Sequence, residues 1–381
     1  MHDFTVLRSL HCGQDLRRLA DARCVVAIPV RNEERSIVRC LDALSVMGHR
    51  ETTLLTTVLL LNGCTDGTWD AVVRQASATG LPVTMVEASL GPTMDHAGGA
   101  RAVALGLAMD ALSDRRDGVI LTTDADTRVP PDWLDRALEG LEAGCDVVAG
   151  DFDVDVASRR RWPEPLQKRV TLEERYGQLL DEVDNLCDPV PHNPWPSHRR
   201  CSGANLVFRA SALAALPTIP SPRCGEDRAL VAACLARDLR VRHDPNLRVS
   251  TSGRLAGRAH GGMADTLRLQ HTLRETPCDD MLEALTPHVH RAMLRSHLRG
   301  LFQPGLSAAA LVGAAGFVVP GNVPHRMPCH FFGDAWQQIE GFVPKLVREP
   351  LSPIQLPGEI AAARTWLAAR ASTTFQAEVA A

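Results

Sequence analysis

The sequence predicts an α/β protein in which a mostly parallel β-sheet is flanked by helices and followed by a helical C-terminal region. Apolar runs of strand length alternate with helical patterns between Cys24 and Val154. These runs are apolar throughout, as expected for strands that are buried on both faces. Glycine and proline mark the ends of several helices. This alternation is typical of parallel sheets with right-handed crossovers.

The five predicted strands cover residues 24–30, 56–62, 82–88, 118–126 and 145–154. The helices between them cover residues 32–47, 63–80, 96–112 and 130–144. In the first helix Ile37, Leu41 and Leu44 share one face, and Asn32 is placed to cap its start. A longer helix is predicted over 166–186, then a loop rich in proline over 188–200, and helices dominate after residue 258.

Composition excludes several classes of protein. Aromatic residues make up only 4% of the 381 residues and the net charge is −4, which argues against nucleic-acid binding. The 11 cysteines form no CxxC pair, so we expect free thiols and a cytoplasmic location. The N-terminus has no signal-peptide pattern. The longest apolar stretch, residues 306–319, is short for a membrane span and predicts a buried helix, with peripheral membrane contact as the alternative.

Polar clusters follow the strands or open the helices. In parallel sheets of this kind, ligands bind beyond the carboxyl ends of the strands. The side chains at those ends are therefore the candidates for chemistry. They lie in the stretches 31–34, 62–68, 98–101, 124–126 and 225–227.

Asp124 and Asp126 end the fourth predicted strand, one residue apart. If the strand stays extended there, both carboxylates face the same side. Two close carboxylates repel each other unless a cation lies between them, and Mg²⁺ or Mn²⁺ with phosphate oxygens suits such a pair. The alternative is a capped turn before Pro130. For an isolated DxD the turn is the more frequent case, and the other four clusters favour the metal site.

Five segments resemble, in order, the motifs of family 2 glycosyltransferases with the GT-A fold. These segments are VVAIPVRNEERSI, VLLLNGCTDGT, ILTTDADTRVPPDWL, CSGANLVFRASAL and GEDRALVAACL. The resemblance extends from Val25 to Ser252. It implies an N-terminal segment over 1–22 and a GT-A domain over 23–258, divided into a nucleotide-sugar half (23–156) and an acceptor half (157–258). Residues 259–381 would form the helical C-terminal region.

The resemblance implies an inverting transfer of a sugar from a nucleotide diphosphate donor, with UDP-sugars favoured and GDP-sugars as the alternative. Asp126 and Asp124 would bind Mg²⁺ or Mn²⁺, Asp227 would be the general base, and Glu226 would position it. Asn62 stands where many members carry an aspartate that contacts uracil, and its amide oxygen can still accept from the base. The residues expected to contact the donor are Pro29, Arg31, Glu33, Asn62, Asp66, Arg101, Asp124 and Arg254.

His260 is a candidate third metal ligand, because a downstream histidine serves this purpose in some GT-A enzymes; a solvated loop residue is the alternative. His243 is a poorer candidate. The QxxRW motif of processive members is absent, which indicates a non-processive enzyme. Arg254 lies where a basic loop could close over the diphosphate. We expect acceptor contacts from residues 188–200, from the CSGAN turn and from the C-terminal helices, whereas the acceptor itself is not indicated.

Two other functions compete with glycosyl transfer. A nucleotidyltransferase also uses carboxylates and a metal on an α/β sheet, but it usually has a glycine-rich basic loop after the first strand. The corresponding residues here, 29–34, contain no glycine and include two glutamates. A catalytically weak GT-A module that serves as a scaffold or binds sugar nucleotides is the third possibility. The joint presence of Asp124, Asp126 and Asp227 argues against it.

Overall fold

The computed structural model describes residues 4–13, 22–48, 55–113, 115–257, 261–317 and 327–380. Contacts between Cα atoms divide the chain into two compact units. The first, here called the sheet unit, comprises residues within 1–161, 200–235 and 239–266. The second, the helical unit, comprises residues within 162–199, 236–238 and 267–381.

The sheet unit contains one eight-stranded sheet with the strand order β1-β4-β3-β2-β5-β7-β6-β8. Strands β2, β3, β4 and β5 are parallel, and β6 is parallel to β8. Strand β7 is antiparallel to both of its neighbours, and β1 is antiparallel to β4. The strands are β1 (Phe4–Cys12), β2 (Cys24–Val30), β3 (Leu55–Asn62), β4 (Val83–Leu90), β5 (Val119–Thr122), β6 (Val147–Val154), β7 (Leu206–Arg209) and β8 (Val241–Thr251).

The described residues contain 13 α-helices, which cover the sheet and build the helical unit. They are α1 (Ser36–Gly48), α2 (Thr68–Thr79), α3 (Ala97–Ala111), α4 (Trp133–Glu142), α5 (Val156–Arg159), α6 (Glu164–Cys187), α7 (Ala210–Ala214), α8 (Glu226–Leu235), α9 (Met263–Thr272), α10 (Leu285–Leu301), α11 (Ala308–Ala314), α12 (Phe332–Phe342) and α13 (Leu356–Ala380).

The predicted mostly parallel sheet flanked by helices is confirmed, because a separate core lies on each face of it. On one face α1, α2 and α4 contribute Ile37, Leu41, Val72 and Trp133 to a core that includes inward side chains of β2 and β3. On the other face α3 and α8 pack on the opposite side chains of the same strands. Burial on both faces explains why strands such as CVVAIPV are apolar throughout.

The structure differs from the sequence prediction at several local points. Strands β1, β7 and β8 were not predicted; β1 is exposed over most of its length, and β8 is largely polar. Asn32 does not cap α1, which begins at Ser36. Instead Asn32 has a positive φ of 56° and its Oδ1 accepts from the backbone N–H of Thr65 at 2.7 Å. The asparagine therefore joins two loops at the edge of the sheet.

The helical unit has two apolar clusters of its own. One joins α6, α10 and α13 through residues such as Tyr176, Val289 and Ile360. The other joins α10, α11 and α12 and buries Leu311 and Val312 beside Trp336. The buried helix predicted within 306–319 is confirmed in part, because α11 buries one face and exposes Ala310, Gly313 and Ala314; the last two residues of that stretch lie outside the described ranges. Among the helices described, none has the length and apolar character needed to cross a membrane.

Candidate active site

The polar residues predicted to form a site meet at one edge of the sheet. Because β2, β3 and β5 are parallel, the residues that follow them emerge at the same edge. Arg31 follows β2, Asn62 ends β3, and Asp124 comes two residues after β5. Helix α8 begins at Glu226 and brings the Glu-Asp pair to Arg101 of α3.

Arg101 lies at the centre of this edge and is only 6% exposed. Its Nη2 donates to Asp124 Oδ1 at 2.7 Å, and its Nε donates to Glu226 Oε1 at 3.1 Å. Its Nη1 donates to Thr122 Oγ1 at 2.8 Å and to the carbonyl of Gly203 at 3.0 Å. Burial alone would lower the pKa of Arg101, but the two carboxylates outweigh it and raise it. The guanidinium therefore holds these two carboxylates together.

The peptide groups of Gly203 hold both sides of the site. The carbonyl accepts from Arg101, whereas the N–H donates to Asp227 Oδ2 at 3.2 Å. The backbone N–H of Arg228 donates to the other oxygen of Asp227 at 2.8 Å. A Cβ added at Gly203 would lie 2.2 Å from Arg101 Cζ, so only glycine allows this approach. Burial and the charge of Glu226 raise the pKa of Asp227, despite these two donors.

Asp126 is surrounded by other charges. Its Oδ2 lies 3.3 Å from Arg254 Nη2, and Arg254 also makes two hydrogen bonds to the carboxylate of Glu33. Burial, followed by the charge of Asp124, raises the pKa of Asp126 to about 7. Asp124 and Asp126 are not on one extended strand, because β5 ends at Thr122 and a turn follows, in which Thr127 N–H donates to the carbonyl of Asp124 at 3.0 Å.

Asn62 is buried and its amide is held from one side. Its Nδ2 donates to Asp95 Oδ1 at 2.9 Å, and Arg31 Nη1 donates to the same oxygen at 2.9 Å. Pro29 lies one residue before the end of β2, opposite Leu60, and β5 pairs with β2 only as far as Ala27. The missing N–H of the proline therefore interrupts no bond to β5.

The sequence named three further candidates, of which two lie in the described part of the chain. Asp66 accepts from the backbone N–H groups of Thr68 and Glu34, at 3.1 and 3.3 Å, so it braces the start of α2 against the loop after β2. His260 lies outside the described residues. His243 is on β8, with its Nε2 3.9 Å from Cys201 Sγ. Within the described ranges, no group of three or more histidine, cysteine or acidic side chains is arranged to hold a metal ion.

Sequence reasoning missed the roles of Asp95, Thr122 and Gly203 at this edge, although Gly203 lies in the CSGAN turn from which acceptor contacts are expected. Asp95 lies in the loop after β4 and could have been found by the rule that selected the other polar clusters, since it follows a strand of the same sheet. Thr122 belongs to an apolar strand, and Gly203 acts through its backbone. Neither of these two has a side-chain pattern that indicates its role.

Comparison with known proteins identifies the class of this one. Residues 25–195 match the family model described as glycosyl transferase family 2. This match covers Arg31, Asn62, Arg101, Asp124 and Asp126, whereas Gly203, the Glu226-Asp227 pair and Arg254 follow it in the chain. The recognition made from the motifs is thereby confirmed for this part of the chain: residues 25–195 form a glycosyl transferase family 2 domain. A search of curated proteins found no match.

Several solved structures are similar at a distance. A mannosyltransferase from Pyrobaculum calidifontis, in complex with GDP-Man and Mn²⁺, is 21% identical over 77% of this chain and 73% of its own, with a TM-score of 0.44. TarS from S. aureus (residues 1–349), in complex with UDP-GlcNAc, is 16% identical over 73% and 72%, with a TM-score of 0.43. Glucosyl-3-phosphoglycerate synthase from Mycobacterium tuberculosis is 17% identical over 67% and 80%, with a TM-score of 0.39.

Proposed function

We propose that this protein is a non-processive, inverting glycosyltransferase that uses a nucleotide diphosphate sugar, a divalent cation and Asp227 as general base. One observation carries the proposal: a single buried guanidinium, that of Arg101, contacts Asp124 and Glu226 together. Asp124, the candidate carboxylate on the donor side, and the Glu226-Asp227 pair, which contains the candidate general base, therefore belong to one site. A site of this kind suits a reaction in which a leaving group and an attacking hydroxyl meet at one carbon.

The donor set fits Mg²⁺ or Mn²⁺. These ions are usually held by one or two carboxylates together with phosphate oxygens, and Asp126 and Asp124 supply two carboxylates at the sheet edge. Burial, followed by the charge of Asp124, raises the pKa of Asp126, and a cation bound to both carboxylates would favour their charged forms. A bound cation would supply Lewis-acid stabilisation of the leaving diphosphate. Arg254, which contacts Asp126 and Glu33, adds positive charge at the same place.

Asp227 has the properties expected of a general base. Its carboxylate is oriented by the N–H groups of Gly203 and Arg228, and its pKa is raised by burial, which increases its affinity for a proton. Glu226, bound to Arg101, fixes the start of α8 and thereby the position of Asp227. An inverting reaction needs no covalent intermediate, so no nucleophilic side chain is required.

The donor's nucleoside would lie against Pro29, Arg31 and Asn62, at the ends of β2 and β3. These residues come from two neighbouring strands, and Asp95 from the loop after β4 closes the same corner. The diphosphate would then extend toward Asp124 and Asp126. Uracil and guanine can both donate to the amide oxygen of Asn62. UDP-sugars are the favoured donors, because Asn62 stands where many family members carry an aspartate that contacts uracil, and GDP-sugars are the alternative.

The first test combines binding and turnover. With Mn²⁺ present, a thermal-shift screen of sugar nucleotides should raise the melting temperature for the correct donor, since a ligand that binds only the native state stabilises it. Asp227→Asn should keep this shift and lower release of nucleoside diphosphate by about 10²–10⁴-fold. Asp135→Asn, an exposed change in α4, is the matched control and should leave turnover unchanged. Unchanged turnover in Asp227→Asn would remove this residue from the mechanism.

The same assay separates the competing functions. A nucleotidyltransferase would release or consume pyrophosphate, whereas glycosyl transfer releases a nucleoside diphosphate. A scaffold would bind a sugar nucleotide with no turnover on any acceptor or on water. Detection of pyrophosphate as the product would overturn the proposed function.

A further inference from the structure

Asp95 contacts the amide of Asn62, and we propose that it determines which nucleobases the protein accepts. The inference rests on the proposed function, in which Asn62 faces the base of the donor. Asp95 would act without touching the base: it fixes the orientation of an amide whose two ends have opposite hydrogen-bonding properties. It is therefore a positioning residue that sets specificity.

The orientation of the amide follows from its neighbours. Asp95 Oδ1 accepts from Asn62 Nδ2 and from Arg31 Nη1, each at 2.9 Å. An ionised carboxylate only accepts hydrogen bonds, and an amide oxygen does not donate. Turning the amide over would bring its oxygen against the carboxylate and leave Asn62 without that bond. The nitrogen of Asn62 is thereby held toward Asp95, and its oxygen is left on the opposite side.

Asp95 is itself held in place by the loop that precedes α3. Its backbone N–H donates to the carbonyl of Gly91 at 2.9 Å. The next residue, His96, caps α3: its Nδ1 accepts from Gly99 N–H at 3.1 Å, while its Nε2 contacts the carbonyl of Thr93 at 2.9 Å. The ring nitrogens thus bind both ends of the turn. This fixes the carboxylate that orients Asn62.

With its amide fixed in this orientation, Asn62 presents only a hydrogen-bond acceptor to a ligand, as an aspartate at the same position would. Uracil and guanine carry a ring N–H on the edge used for base pairing, whereas cytosine and adenine carry a lone pair there. An acceptor aimed at that position bonds the first two bases and repels the other two. A polar site discriminates strongly against a ligand that leaves it unpaired. The geometry points to donors based on UDP or GDP.

The test uses UDP, GDP, CDP and ADP as probes, with Mn²⁺ present and binding measured by calorimetry. The wild-type protein should bind UDP or GDP about tenfold or more tightly than CDP or ADP, which corresponds to the loss of one hydrogen bond. Asp95→Asn should reduce this preference to less than about threefold, because a neutral amide at position 95 can pair with either orientation of Asn62.

A double variant and a control variant complete the experiment. Combining Asn62→Asp with Asp95→Asn exchanges the carboxylate and the amide, so an acceptor again faces the base, and the tenfold preference should return. Glu87→Gln removes a carboxylate from β4 that is paired with Arg8 and does not contact Asn62; the preference should stay at its wild-type value. A change that only damages the fold would not restore selectivity in the exchanged protein.

The failure of this inference is distinguishable from the failure of the proposed function. Unchanged selectivity in Asp95→Asn, or wild-type binding of CDP and ADP equal to that of UDP and GDP, overturns the inference and leaves nucleotide binding intact. If none of the four nucleotides binds with Mn²⁺, the proposed function fails, and the inference fails with it.

Discussion

Arg101 shows how the role of a single residue can differ from the one that its sequence position suggests. Its position in one of the polar clusters, residues 98–101, made it a candidate for contact with the donor. In the structure its guanidinium makes four hydrogen bonds within the protein, and two of them go to carboxylates. Its positive charge is therefore used mainly to keep two negative groups close together. We propose that it is a positioning residue for the donor and base sides of the site.

Replacing Arg101, or Gly203, whose carbonyl accepts from it, tests this role. Arg101→Lys keeps the charge, but a compact ammonium cannot bind Asp124, Glu226 and Gly203 together. Gly203→Ala keeps Arg101 and displaces its guanidinium, because the new Cβ would lie 2.2 Å from Cζ. Both changes should lower release of nucleoside diphosphate by about 10²-fold, the usual effect of misplacing groups by about 1 Å.

A buried threonine provides the control for these changes. Thr57 lies in β3 and, within the described part of the chain, its hydroxyl has no hydrogen-bond partner. Thr57→Val should therefore leave turnover at the wild-type level. If Arg101→Lys keeps full turnover and weakens only the binding of UDP relative to uridine, Arg101 contacts phosphate and the positioning role is wrong.

At the scale of elements, the glycines of α3 have different functions. Gly99 approaches the loop before the helix so closely that a Cβ would lie 2.1 Å from the carbonyl oxygen of Met94. Gly106 lies two turns later in the same helix. In the described structure, a Cβ added there would have no heavy atom within 4 Å apart from the neighbouring residues and backbone of its own helix. Close packing therefore requires glycine at position 99, whereas Gly106 only lowers the helix propensity of α3.

Alanine substitutions should separate the two cases. Gly99→Ala should lower the free energy of unfolding by about 1–3 kcal/mol, the usual effect of overpacking. Gly106→Ala should raise it by about 0.5–1 kcal/mol. Chemical denaturation measures both. Equal destabilisation by the two changes would contradict the contacts described for Gly99.

The elements also show what could be predicted from the sequence. Strands β2 and β3 were predicted because burial on both faces makes them continuous apolar runs. Strand β1 lies exposed at the edge of the sheet, and β8 is polar and shifts register against β6, so neither has that pattern. The motifs placed polar residues after parallel strands, and in the structure these residues meet at one edge of the sheet. They could not indicate that Arg101 pairs with Glu226, 125 positions away, because that contact depends on how α8 packs.

At the scale of the whole molecule, buried Glu283 and partly buried Asp126 should give the stability of the protein opposite dependences on pH. Glu283, in the helical unit, is buried, which raises its pKa, but hydrogen bonds from His288 and Arg291 outweigh burial and lower it to about 2. Its usual value in the unfolded chain is 4.5. Its contribution to stability is therefore complete above about pH 4.5 and is lost as the pH falls toward 2.

Asp126 has the opposite sign. Its pKa rises from 3.8 to about 7, because burial and Asp124 disfavour the charged form. The native protein thus holds a proton that the unfolded chain releases, and the stability from this group is lost as the pH rises from about 4 through 7. A cation bound to the ionised carboxylate would reverse this dependence, since it stabilises the charged form.

Melting temperatures measured across pH 5 to 8 test this argument. Without metal, the wild-type melting temperature should fall over this interval, and Asp126→Asn should remove most of the decline. Mn²⁺ with UDP should raise the wild-type temperature most at the alkaline end and should have little effect on Asp126→Asn. Glu283→Gln should lower the free energy of unfolding by about 1.5–3 kcal/mol across the interval, because it removes the buried carboxylate that pairs with Arg291 and leaves Glu340 as the carboxylate bound to that guanidinium.

An exposed pair gives the matched comparison for the buried charges. Asp132→Asn removes one partner of an exposed pair with Arg136 and should leave the free energy of unfolding nearly unchanged. If Asp126→Asn retained the alkaline decline, that decline would come from other groups and Asp126 would not hold the proton. If it also retained the shift with Mn²⁺ and UDP, the cation would bind elsewhere. Together these outcomes decide whether Asp126, which destabilises the metal-free protein as the pH rises, is also the carboxylate that binds the cation.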